Sequence, residues 1–271
     1  MNIAVVTSFS EEGFRKYGRD CVESFCRFWP QGIPIHVYYE NTFQLYEGPF
    51  LTAENRPTGK QDAKIHAVNL LETQPCKAFL KKHHDDRFAQ GLDHYPGHSW
   101  RPNATRAGYN FRFDAYKFAR KVFAIQHAAN IINSGKLFWI DADVQTRKPV
   151  PVEFLNGLFP DGIAISHIDR PGYHSECGFV GYNLDHPSTL PFINEFARIY
   201  SQGRFMDFSE WHDSYIFDRL LERLPLPTYK IAWANKMVPV ENSILGEYFY
   251  HFKGARKDSE ENKRIHMEQY K

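Results

Sequence analysis

The first forty residues alternate strand, helix and strand, and that order constrains the fold more than any other feature of the chain. Ile3–Thr7 is an apolar, largely β-branched run. Phe14, Tyr17, Cys21, Phe25 and Phe28 then recur at helical spacing across Gly13–Phe28. Pro30-Gln31-Gly32 stops this helix, and Ile35–Tyr39 supplies a second strand. Strands joined through a helix lie parallel, and parallel sheets need helices over both faces. The expected class is therefore α/β, with a central mixed but mostly parallel sheet flanked by helices and a Rossmann-like nucleotide-binding half. Ligands of such sheets bind beyond the carboxyl ends of the strands, where Thr7-Ser8-Phe9 would face a nucleoside. A plain strand-to-helix turn capped by Ser10 is compatible with the same residues.

Asp141-Ala142-Asp143 has the same placement. It follows the apolar run Leu137-Phe138-Trp139-Ile140, itself preceded by the turn-like Asn133-Ser134-Gly135-Lys136. Two carboxylates at the tip of a buried strand are costly unless their charge is compensated. A hard divalent cation does this well, because Mg²⁺ and its relatives take one or two carboxylates and complete their shell with substrate phosphates. Two other readings use the same residues. The pair can cap a turn or helix N-terminus. It can also be the acidic pair of an aspartyl-phosphate phosphatase, although Gln145 stands where that pattern has Thr or Val.

Composition narrows the function. Lys and Arg total 33 against 32 Asp and Glu, which excludes a nucleic-acid binder with a broad basic surface but leaves room for one nucleotide. No apolar run approaches the ~20 residues of a membrane span. Cys21, Cys26, Cys76 and Cys177 have no metal-ligand spacing. Together with an N-terminus that enters a strand directly, these features predict a reduced, cytoplasmic protein without a transmembrane segment.

Further along, Ala63–Leu71 and Ala78–Lys82 are expected to be helical. Residues 83–109, rich in His, aromatic residues, Pro and Gly, form a long loop or insertion. Phe113–Ile132 is a long amphipathic helix with Tyr116, Ala119, Phe123 and Ile131 facing inward. Near its start, Arg112 or Lys117 can pair with phosphate and Asp114 can accept from a base or sugar hydroxyl. Asp114 and Lys117 can equally form an i,i+3 charge pair. Ile163–His167 and Gly178–Tyr182 are expected strands, with Gly178 and Gly181 allowing close approach of substrate. Leu190–Gln202 and Tyr215–Arg223 are expected helices. Trp211, Trp233 and Tyr182 are core residues or platforms for a sugar face. Residues 1–253 form one domain, with a donor half to 145 and an acceptor half beyond it; 254–271 is a polar, charged tail, helical and solvated or disordered.

Phe138-Trp139-Ile140-Asp141-Ala142-Asp143-Val144 resembles the DxD segment of the GT-A glycosyltransferases, which use nucleotide-sugar donors. Ile3–Phe9 is similar to their first strand, Phe111–Phe118 to the helix before the DxD strand, and Ser175–Asn183 to the acceptor-side strand. Trp211-His212-Asp213-Ser214 resembles the WHDE segment of the retaining galactosyl- and N-acetylgalactosaminyltransferases related to the blood-group enzymes. His251-Phe252-Lys253-Gly254 resembles the late His-x-Lys-Gly element of several GT-A families.

The resemblance implies a GT-A-like fold and transfer of a hexose or N-acetylhexosamine from a nucleotide-diphosphate sugar, UDP-linked, to the hydroxyl of a glycan or other acceptor. It implies Asp143 and His251 as metal ligands and Asp141 as a metal or ribose contact. Such a carboxylate-rich set suits Mn²⁺ or Mg²⁺, and the imidazole favours Mn²⁺. Lys253, on the same face of an extended segment as His251, would neutralise the departing diphosphate. Ser214 replaces the final Glu of WHDE and cannot supply a carboxylate charge, so Asp213, then Glu176, are the candidate catalytic or acceptor-contacting carboxylates. Asp213 can also be a helix cap. The anomeric outcome stays open. Two competing functions are a sugar nucleotidyltransferase, which generally needs a more glycine-rich and basic first loop than Thr7–Gly13, and a non-catalytic nucleotide-sugar binding module.

Overall fold

A computed structural model describes residues 2–40, 65–93, 108–234 and 237–270. Strand β1 (Ile3–Phe9) leads into a helical run of α1 (Glu11–Gly13), a π-helical stretch Phe14–Gly18 and α2 (Arg19–Phe28). Then come β2 (Ile35–Tyr39), β3 (Ile65–Asn69), α3 (Cys76–Lys82), α4 (Ala115–Ile132), β4 (Lys136–Ile140) and β5 (Val144–Thr146). The remainder is α5 (Val152–Gly157), β6 (Ile165–Ile168), β7 (Glu176–Asn183), α6 (Thr189–Ser201), α7 (Asp213–Arg223), β8 (Thr228–Ile231), β9 (Phe249–His251) and α8 (Glu260–Gln269).

Among the described residues the main sheet has seven strands in the order β3-β2-β1-β4-β7-β6-β8. Strands β3, β2, β1 and β4 run parallel, β7 is antiparallel to both β4 and β6, and β6 is parallel to β8. Strand alternation divides the core. Ala4, Val6, Leu137 and Trp139 meet α3, α4, α6 and α7 on one face. Ile3, Val5, Phe138 and Ile140 meet α2 and α5 on the other. The strand order reverses between β1 and β4, which makes their carboxyl ends the natural crevice of this sheet.

The structure departs from the expected elements at several points. The segment expected as helix 63–71 is instead the edge strand β3, paired residue by residue with β2 from Ile35–Ile65 to Tyr39–Asn69; residues 63 and 64 lie outside the described residues. Pairing to an open sheet edge outweighs helix propensity there. Ile131 is 57% exposed, because it lies in the last turn of α4, where Asn133 closes the helix in the left-handed region. The tail is helical but not simply solvated: α8 buries Lys263 and His266. Of the segment 83–109, residues 94–107 lie outside the described residues, and His83 is a buried neighbour of Phe79 and Phe205. Among the described residues no helix is long and apolar enough to cross a membrane.

Candidate metal and donor site

Two separate pieces of backbone build the site. Strand β4 carries Asp141 to its carboxyl end, where the Asp141 amide donates to Gly178 O of β7 at 2.8 Å. The chain then turns into β5, which pairs antiparallel with β9, placing Val144 opposite His251. That small two-stranded sheet joins residues more than a hundred positions apart and sets the imidazole against the DxD turn. The Phe252 amide donates to Asp143 O at 2.9 Å and holds the crossing in place.

Each aspartate turns one oxygen to neighbouring donors and the other toward His251. Asp141 Oδ1 receives Lys121 Nζ at 2.9 Å and Trp139 Nε1 at 2.7 Å, while its Oδ2 lies 3.9 Å from His251 Nε2. Asp143 Oδ2 receives Lys257 Nζ at 2.6 Å, while its Oδ1 lies 3.1 Å from His251 Nε2. One oxygen of each carboxylate and one imidazole nitrogen are therefore left facing a common point, and ligand atoms of the three residues lie within 4.8 Å of one another. Two ligands at right angles, each ~2.1 Å from a small divalent cation, stand about 3 Å apart. The 3.1 Å pair of Asp143 and His251 matches that spacing, and the donor set suits Mn²⁺ or Mg²⁺ in chemistry.

A further shell holds these ligands. His251 Nδ1 faces Glu176 Oε1 at 3.9 Å, close enough to feel its charge but beyond hydrogen-bond distance. Glu176 is 2% exposed and also receives Lys253 Nζ at 2.9 and 3.1 Å and the Gly178 amide at 3.2 Å. The His251 amide donates to Glu241 Oε1 at 2.6 Å, and His266 of α8 meets the same oxygen at 2.6 Å. Gly178 has a specific reason to be glycine: a Cβ would stand 2.5 Å from His251 Cε1. At Gly181 it would meet the Phe159 ring at 2.6 Å. Both glycines accommodate protein rings, and not the substrate expected from their positions.

Charge within the group is strongly biased. Burial opposes ionisation of Asp143, yet His251 and Lys257 outweigh it and hold the carboxyl below its ordinary range. Burial likewise disfavours the charged imidazole of His251, but Asp143 and Glu176 raise its pKa above 6.5. For Glu176, burial is outweighed by Lys253, His251 and Arg170, which bring it down from 4.5 to about 2. A depressed carboxyl contributes stability that is complete above its unfolded pKa and lost as pH falls through the folded one. In the metal-free protein, Glu176 should thus contribute about 3 kcal/mol that disappears between pH 4.5 and 2. Urea midpoints measured across that range should fall less steeply for Glu176→Gln than for the parent; parallel curves would refute the assignment.

Asp213 stands at the start of α7, with His212 as the cap, so Asp213 is the first helical residue and not the cap. It is 5% exposed, and its Oδ2 receives Lys121 Nζ at 2.8 Å. Burial would raise its pKa, but Lys121 overrides this and lowers it. Lys121 is one of the residues that sequence reasoning missed. It is largely enclosed in α4, its side chain 13% exposed, and its ammonium reaches Asp141, Asp213 and the Cys177 carbonyl together, which satisfies its three donors. Burial alone would lower its pKa, yet Asp141 and Asp213 raise it well above the usual value. Its signal was present in the helix: Lys117, named instead, sits one turn earlier on the same side.

The other expected donor residues differ in exposure and in partners. Thr7 is fully buried and Phe9 packs on Phe14, which leaves Ser8 as the partly exposed side chain of the three. Asp114 caps α4 by accepting from the Lys117 amide at 2.9 Å and receives the Tyr109 hydroxyl at 2.9 Å. Lys117 is exposed over the Phe118 ring, and Arg112 pairs with Glu210 at 3.0 Å. Trp211 and Tyr182 are core residues. Lys257, beyond the expected domain boundary, lies over the Tyr17 ring as well as on Asp143.

No protein-family model and no curated protein sequence matches the chain. Its fold, by contrast, is that of solved glycosyltransferases. Mouse xyloside xylosyltransferase 1, in its apo form, superposes with a TM-score of 0.53 at 10% identity, covering 85% of each chain. A glycosyltransferase involved in glycosylating the major capsid of PBCV-1 superposes with a TM-score of 0.51 at 13% identity, covering 98% of this chain and 99% of that one. At such identities the likeness is one of architecture, and the GT-A-like α/β fold implied by the DxD, WHD and His-x-Lys-Gly segments is the fold that this chain adopts.

Proposed function

We propose that the protein is a metal-dependent glycosyltransferase that moves a hexose or N-acetylhexosamine from a nucleotide-diphosphate sugar, a UDP-sugar, to an acceptor hydroxyl. The observation that carries this reading is the convergence of Asp141 Oδ2, Asp143 Oδ1 and His251 Nε2 at the crevice of a GT-A-like sheet. Mn²⁺ or Mg²⁺ held there would bind the donor's diphosphate oxygens and stabilise charge on the leaving group. The ammonium groups of Lys253 and Lys257 add positive charge beside the ligands, where a diphosphate would depart.

The two candidate catalytic carboxylates take different parts in this proposal. Glu176 stands behind His251 as a buried negative charge. Asp213 is held ionised next to Lys121, and a carboxylate with a depressed pKa is a weak general base. Asp213 therefore serves as a fixed negative charge toward an oxocarbenium-like centre and as a contact for the transferred sugar or acceptor. This compensates for Ser214, which offers no charge.

Nucleotide-sugar hydrolysis by the purified protein, measured with Mn²⁺ and again with EDTA across a donor panel, tests the proposal. Release of free sugar from one donor, dependent on the cation, is expected; binding without turnover of any donor or acceptor would assign a binding module instead. Metal binding should also release a proton, because His251 must lose its charge to ligate. Calorimetry in buffers of different ionisation enthalpy should show this release, with affinity rising with pH and levelling off once the raised pKa of His251 is passed. Affinity independent of pH would remove His251 from the shell.

A further inference from the structure

We propose a second cation site, formed by His174, Glu210 and His212, that binds a transition-metal ion of the Zn²⁺ class. This site is distinct from the DxD group and does not depend on the transferase reading. His212 Nε2 lies 2.9 Å and His174 Nε2 3.8 Å from Glu210 Oε2. All three residues offer ligand atoms within 4.8 Å of one another. Two imidazoles and one carboxylate are a donor set in which zinc keeps an open position for water or another ligand. Imidazole ligands also favour Zn²⁺ over the hard cations that suit an all-oxygen site.

The surroundings support ligation. Glu210 divides its oxygens as Asp141 and Asp143 do: Oε1 takes Arg112 Nη1 at 3.0 Å, and Oε2 faces the two imidazoles. Asp218 Oδ2 lies 3.5 Å from His174 Nδ1 and is itself held by the Ser175 amide at 3.0 Å. A carboxylate at Nδ1 fixes the proton on that nitrogen and leaves the Nε2 lone pair for a metal. The group is enclosed on one side and open on the other, with side-chain exposures of 8% for His212, 16% for Glu210 and 35% for His174. Ligation has one structural cost. His212 Nδ1 now accepts from the Tyr215 amide at 3.3 Å, and it gives up this long cap when its ring proton moves there from Nε2. The cation would join the turn before β7 to the entry of α7, the two segments that carry Glu176 and Asp213.

Equilibrium dialysis of the full-length protein against Co²⁺, read by metal analysis and by visible absorption, separates this site from the other. If both sites exist, the parent takes up two cobalt ions, His174→Ala loses one, and His251→Ala loses the other. His174 is the most exposed ligand, so its truncation leaves the core intact. Asp218→Asn should weaken the second site about 10–100-fold, as loss of an outer-shell partner does. Cobalt uptake unchanged in His174→Ala would overturn the proposal, even if His251→Ala still lost its ion. Conversely, a single ion lost in His174→Ala and kept in His251→Ala would uphold this site and count against the DxD one. Anomalous scattering at the zinc edge should show a peak among His174, Glu210 and His212; a zinc-soaked crystal without that peak would likewise refute the site.

Discussion

Asp143→Asn is expected to lower the proposed cation-supported transfer and donor hydrolysis about a thousandfold, because several kcal/mol of transition-state charge stabilisation would be lost. The substitution preserves the shape of the side chain but removes the charge that His251 and Lys257 share. Its effect should appear in kcat and in Mn²⁺ affinity together, since in the proposed site the carboxylate would ligate the ion that carries the donor. Circular dichroism of the variant checks that the fold survives. Asp141→Asn should be milder in metal affinity, because Asp141 Oδ2 stands farther from His251 than Asp143 Oδ1 does, at 3.9 against 3.1 Å. Parental rates in Asp143→Asn would refute the metal assignment.

Lys121→Ala destabilises the protein by about 3–5 kcal/mol, the cost of removing one partner from a buried ionic group. The ammonium ties four elements at once: α4 through its own backbone, the end of β4 through Asp141, β7 through the Cys177 carbonyl, and α7 through Asp213. Without it, Asp213 remains a buried carboxylate without its cation, and Asp141 keeps only the Trp139 donor at its Oδ1. Thermal denaturation should show a fall in Tm on the order of 10 °C for a chain of this size. Activity, measured well below the new Tm, should fall too, because Asp213 loses the partner that keeps it ionised and in place. A melting temperature and rate equal to the parent's would show that Lys121 is a bystander.

Much of the architecture was legible because it rests on local signals. The near-continuous burial of β1, β2 and β4, the Pro30–Gly32 stop and the period of α4 all appear in short windows of sequence. Strand β3 was not legible, since Ile65–Asn69 becomes a strand only by adding to the exposed edge of β2. The placement of Asp141 and Asp143 followed from the buried run that precedes them. Their meeting with His251 depends on β5 pairing with β9, a long-range contact that no local period encodes; only the resemblance of His251–Gly254 to a late GT-A element indicated it.

The partners of the site were hidden for a different reason. Lys121 looks like any other cation on a helix until the turn that buries it is known, and Lys257 and His266 lie in a segment whose charge suggested solvent. Their burial is decided by the docking of α8, through Lys263 to Asp20 and His266 to Glu241. Gly178 offers a similar lesson. Its small size was visible in the sequence, but the His251 ring that requires it comes from the opposite end of the domain.

Whether a cation sits between the DxD turn and His251 can be decided by a crystal structure with Mn²⁺ and UDP, using data collected at the manganese absorption edge. One anomalous peak is expected about 2.1 Å from Asp143 Oδ1 and His251 Nε2, with Asp141 Oδ2 and the diphosphate in the same shell. Nucleotide bound in the crevice with no peak between these residues, or with the ion held elsewhere, would contradict the proposed metal site.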